Sequence, residues 1–124
     1  MRRDTLKHLV STLGLAVLLA GCAASAPQAL YRWNSYESQV YSYLRHQGSS
    51  SQEQILVLEK GLSESAARNA ALPPGYLAHL GLLYLDTGRT DDALQAWERE
   101  KALFPESRHY IDYLIGNMKK KKAG

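Results

Sequence analysis

The stretch "PPGYLAHLGLLYLDTGRTDDALQAWEREKALFPES", residues 73–107, decides the fold. On both sides of "DTGRT", residues 86–90, the apolar positions recur at intervals of three and four, as in Leu77, Leu80 and Tyr84 and then Ala93 and Trp97. That period places each set on one face of a helix, and the turn residues between them join two helices into a hairpin. Thr90, Asp91 and Asp92 are expected to cap and charge the N-terminus of the second helix.

This hairpin resembles a tetratricopeptide repeat, a helix-turn-helix unit of roughly 34 residues. Leu77, Leu80, Gly81 and Tyr84 match the first-helix signature, Ala93 and Trp97 the second, and Pro105 the closing proline. The resemblance implies a mechanical role for each. Gly81 lets the paired helices cross closely with Ala93 opposite it, while Tyr84 and Trp97 fill the wider spaces. Glu100 departs from the pattern, which prefers Ala there, so looser packing onto the next helix is expected at that point.

One such repeat cannot bury its own faces, and the flanking sequence offers neighbours. A shift of 34 residues carries the first-helix positions onto Ile111, Leu114, Ile115 and Met118, which predicts a final helix packed on the repeat. Upstream, "NSYE" from Asn34 predicts a helix capped by Asn34 or Ser35, with Glu37 completing a capping box and Val40, Leu44, Tyr36, Tyr41 and Tyr43 on its face. A further helix begins after a second capping box, Ser50 with Glu53, and carries Ile55, Leu58 and Leu62 on one stripe. Gly61 weakens its middle. Residues 36–72 thus read as a degenerate repeat. No alternating β-branched run occurs, so the fold class is all-α: tetratricopeptide-like antiparallel hairpins, about five helices, over residues 31–124.

The N-terminus has a different logic. Arg2, Arg3 and Lys7 precede the apolar run "LVSTLGLAVLL", which is shorter than the roughly 20 residues of a membrane span. The run ends in Leu19-Ala20-Gly21-Cys22, which looks like the lipobox of bacterial lipoproteins and marks Cys22 as the lipid acceptor. Residues 1–21 then form a lipoprotein signal peptide and 22–30 a lipidated linker, whose eight residues after Cys22 reach at most roughly 28 Å. Several acyl chains on one residue make anchoring effectively permanent, at roughly 0.8 kcal/mol per buried methylene. Ala23 after the cysteine resembles Gram-negative lipoproteins sent to the outer membrane, facing the periplasm. With its single Cys spent on lipid, the mature chain has no internal disulfide.

The formal charge of +3 falls to +1 once the signal is removed, with 12 basic and 11 acidic residues, and Lys119–Lys122 supply four of the positive charges. The rest is acidic, so the composition gives no case for a nucleic-acid partner. The lysine run either meets anionic lipid or complements a helix C-terminus. No nucleophile-elbow, phosphate-loop or metal-ligand pattern is present, and His109 with Asp112 is the one close His–carboxylate pair. No cofactor, metal or catalytic residue is therefore expected.

If the repeat is open, the tetratricopeptide resemblance implies an inner surface lined by Ala78, His79, Leu82, Leu85 and Asp86. This surface is apolar and suited to a hydrophobic or helical partner segment; the alternative is that the tyrosine-rich first helix covers it. Tyr31 and Trp33, close to the anchor, suit either a headgroup layer or a partner. From "YRWNSYESQVYSYL" through residue 107, the mature chain is similar to a family of short bacterial lipoproteins encoded beside a lipoprotein resembling the curli secretion channel. That resemblance implies a lipid-anchored, non-catalytic assembly module of an envelope complex whose partner is a neighbouring lipoprotein. An envelope enzyme acting on peptidoglycan is the rival expectation.

Overall fold

The computed structural model describes residues 2–8, 29–46 and 48–123. The expected signal-peptide core, the expected lipid site at Cys22 and most of the expected linker lie outside the described residues. All secondary structure among the described residues is helical, with no strand. After a helical segment α1 within residues 2–8 come α2 (Tyr36–Arg45), α3 (Ser51–Ala67), α4 (Tyr76–Asp86), α5 (Thr90–Leu103) and α6 (Arg108–Ala123), with a 3₁₀ turn at Pro105–Ser107. None of these helices is long and apolar enough to cross a membrane.

Helix α3 starts as its sequence dictates. The Ser50 hydroxyl accepts the Glu53 N–H at 3.3 Å, and the Glu53 carboxylate accepts the Ser50 N–H at 2.7 Å, satisfying two donors that the first turn otherwise leaves open. Ile55 and Leu58 are fully buried. Gly61, in mid-helix, is required by a neighbour: a side chain there would overlap the Tyr76 hydroxyl, which donates to the Leu58 carbonyl at 2.7 Å.

The α4–α5 hairpin holds the core. Leu77, Leu80, Leu83, Ala93 and Trp97 are at most 1 % exposed, and Tyr84 is buried beside them. Any side chain at Gly81 would overlap the Trp97 indole, whose Nε1 donates to the Ala78 carbonyl at 3.0 Å. Gly81 therefore accommodates the edge of Trp97 itself. The descending pairs, Ala78 with Trp97 and Gly75 with Glu100, make the two helices antiparallel. Helix α6 packs on α5 through buried Ile111 and Ile115, with Leu114 and Met118 half-buried.

Three local expectations are corrected. Helix α2 has Ser35 at its N-cap with no side-chain cap bond; the Asn34 amide instead donates to the Gly61 carbonyl and the Ser65 hydroxyl, tying the chain to α3. Thr90 is the first residue of α5 and not its cap; Arg89 precedes it and donates to the Asp92 carboxylate at 2.7 Å. Glu100 is more than a misfit in the packing pattern, because its carboxylate faces the start of α4. It is fully buried and accepts hydrogen bonds from the N–H groups of Gly75, at 2.6 Å, and Leu77, at 3.2 Å. Helix α4 has no cap of its own because Gly75 carries no side chain, so Glu100 supplies it from 25 residues away. Placing a carboxylate at a helix N-terminus satisfies open N–H groups and the dipole together. Gly75 itself has φ +90°, and its bare Cα lets the Tyr36 hydroxyl approach.

Helices α2 and α3 do not reproduce this packing. No residue of α2 is fully buried, and Tyr41 and Leu44 are 61 % and 70 % exposed. Helix α3 enters the core through Ile55 and Leu58, whereas α2 is a cover laid on α4 and held by ring contacts.

Candidate functional site

A cleft of about 220 Å³ lies where α2 crosses the start of α4. Its walls are Tyr36, Val40 and Tyr43 from α2 and Ala78, His79 and Leu82 from α4, with Leu44 and Tyr110 at the mouth. The lining is mainly apolar because α4 presents small and aliphatic groups every three or four residues and α2 answers with rings. Leu44 and Tyr110, 70 % and 50 % exposed, stand as apolar groups at the rim.

His79 is the polar group in this wall. Its ring meets Tyr43 edge-on at 5.2 Å and Tyr36 at 6.1 Å. It is 6 % exposed, and its Nε2 has no hydrogen-bond partner among the described residues. Burial lowers its pKa below the usual histidine value, and the charge of Asp86 partly opposes that. The Tyr43 hydroxyl is pushed up by burial and then by Asp86, and the Tyr36 hydroxyl by burial and then by Glu100. These groups are neutral at physiological pH, so the cleft offers apolar surface with one unmatched ring nitrogen.

The structure groups the candidate residues in three places. Ala78, His79 and Leu82 share the cleft, with Ala78 and His79 buried and Leu82 half-buried. Leu85 lines a separate depression of about 300 Å³ with Thr90, Met118, Lys121 and Lys122. Tyr31 meets Phe104 edge-on at 6.3 Å, and Trp33 stacks on Tyr36 at 6.2 Å. Among the signature positions, Leu77, Leu80, Gly81, Tyr84, Ala93 and Trp97 are buried, and Pro105 opens the 3₁₀ turn after α5.

A polar cluster that sequence spacing did not reveal joins α3 to the hairpin. The Tyr84 hydroxyl donates to Glu59 at 2.8 Å, Arg89 reaches the same carboxylate at 3.2 Å, and the guanidinium lies 4.3 Å from the Tyr84 ring centroid. Burial and the Glu59 carboxylate both raise the Tyr84 pKa. On the far side, Lys101 of α5 pairs with Asp112 at 2.7 Å. Among the described residues no group of three or more His, Cys, Asp or Glu side chains is arranged to hold a metal ion.

Fold and site together define a small helical domain whose tightly packed hairpin carries a thinly covered apolar cleft. Residues 30–114 match the family described as Domain of unknown function (DUF4810), and the chain belongs to that family. No curated protein and no solved structure matches the chain.

Proposed function

We infer that the protein is an outer-membrane lipoprotein facing the periplasm, anchored through a lipid on Cys22, and that its α4–α5 hairpin is a tetratricopeptide-like unit serving as a non-catalytic assembly module. The buried signature positions and the fit of Gly81 against Trp97 support the repeat. The anchor is supported by the Leu19-Ala20-Gly21-Cys22 pattern after a short apolar run. Recognition is carried by one observation: the cleft beneath α2, with exposed Leu44 and Tyr110 at its mouth and an unmatched His79 nitrogen inside. Such a surface fits apolar side chains on a helical segment of an envelope lipoprotein.

The test is crosslinking in intact envelopes from a photoreactive group at position 44, with purified protein assayed in parallel on peptidoglycan. A stoichiometric adduct with one envelope lipoprotein, lost in Leu82→Ser while the variant stays helical and membrane-bound, supports the proposal. Cell-wall cleavage without any adduct favours the enzymatic alternative. Mass spectrometry of the N-terminal peptide checks the anchor: an unmodified Cys22 thiol contradicts it.

A further inference from the structure

We propose that the domain sits end-on over its membrane, with the end formed by the α3 C-terminus, the α5 C-terminus and residues 30–32 against the phospholipid headgroups. This orientation rests on the lipid anchor proposed above. The chain leaves the linker at Leu30, which is 77 % exposed, and is fixed at once by a 2.8 Å bond from the Arg32 N–H to the Ala71 carbonyl and by the Tyr31–Phe104 contact. Beside that attachment opens a mainly apolar depression of about 360 Å³, lined by Ala66, Ala70, Leu103 and Phe104 and by Arg99. Leu103 on its rim is 55 % exposed.

Two observations choose the bilayer as occupant. The tether from Cys22 to Leu30 spans at most roughly 28 Å, so this end is the part of the domain held nearest to the lipid. The charge around it is also complementary: Arg99 lines the depression, Arg32 stands at the attachment, and Arg68 lies in the turn between Ala66 and Ala70, with Glu106 following the rim in the 3₁₀ turn. Exposed leucines flanked by arginines are suited to an anionic interface, where apolar groups enter and each cation contributes about 1 kcal/mol.

The lysine run is then excluded from the lipid. Helix α5 rises about 20 Å from Thr90 to Leu103. Lys121 and Lys122 stand with Thr90 and Leu85 at its far end, opposite Arg99 and Leu103. The end of α6 that carries the lysine run then faces away from the lipid.

The test uses the lipidated protein in vesicles of phosphatidylethanolamine and phosphatidylglycerol. Nitroxides are attached at Leu103→Cys and, separately, Lys120→Cys, and their accessibility to oxygen and to a water-soluble nickel complex is measured. The label at 103 is expected in the headgroup layer and the label at 120 in water. Adding Arg99→Gln and Arg32→Gln should shift the 103 label toward water, each lost charge weakening the contact by roughly fivefold; Lys121→Gln should leave it in place. A label at 103 in water on a chain whose mass shows lipidated Cys22 overturns the orientation alone. A lipid-embedded label at 120 inverts the orientation and also overturns it. An unmodified Cys22 overturns the anchor and this orientation together.

Discussion

The α4–α5 hairpin and helix α2 are both aromatic-rich, yet they are held in opposite ways. In the hairpin a glycine faces a tryptophan, the indole N–H finds a backbone carbonyl, and a buried carboxylate closes the helix end. In α2 no residue is fully buried; Tyr43 meets α4 by ring contact with His79, and only the Tyr36 hydroxyl finds a gap, at Gly75 before the first turn of α4. Close packing with satisfied polar groups makes a rigid unit, whereas ring contacts over a cleft make a removable cover. The difference separates the part that specifies the fold from a helix that only covers it.

The largest expected effect lies at the hairpin crossing. Gly81→Leu forces a side chain into the Trp97 indole, and destabilisation of about 3 kcal/mol or more should appear as a large fall in melting temperature. A variant melting within two degrees of wild type would mean that the helices do not meet there. Next is Glu100→Ala, which strips the Gly75 and Leu77 N–H groups of their buried acceptor and should cost about 2 to 3 kcal/mol in urea unfolding. Glu100→Gln retains an acceptor oxygen and should recover part of this loss; equal effects would deny the capping role.

A smaller effect follows from His79. Its folded-state pKa is depressed, so the unfolded chain takes up the proton first as the pH falls. The stabilisation is therefore complete above about 6.5 and is lost as the pH drops from there through the folded pKa. Melting measured at pH 7.5 and 5.5 should show the domain weaker in acid on account of this group. His79→Phe should remove that part of the difference, and an unchanged pH dependence would free His79 of it. Smallest of all is Leu44→Glu on the cover helix, expected to change stability by under about 0.5 kcal/mol. A large loss there would place α2 in the core and break the comparison.

What could be read from the sequence was local. The hairpin followed from spacing and turn residues, the α3 start from Ser50 and Glu53, and the α6 face from Ile111 and Ile115, because these depend on residues within a turn or on helical period. What escaped were polar bonds between residues far apart in the chain. Glu100 read as a misfit in a packing pattern, Gly61 as a weak point and Asn34 as a local cap. Each is explained by a partner 15 to 31 residues away: the Gly75 N–H, the Tyr76 hydroxyl and the Ser65 hydroxyl. The candidate groove was legible only in part for the same reason. The tetratricopeptide resemblance put Leu82 and Leu85 on one inner surface, but α2 covers Leu82 and the end of α6 approaches Leu85.

Native-state hydrogen exchange, read residue by residue, tests the central claim most directly. If α2 is a cover on a rigid hairpin, the amides of Tyr36–Arg45 should exchange through a local opening several kcal/mol easier than global unfolding, while Leu80, Leu83 and Trp97 exchange only when the whole domain unfolds. Equal protection of α2 and the hairpin, with the same denaturant dependence, would contradict the account and make the cleft a fixed part of the core.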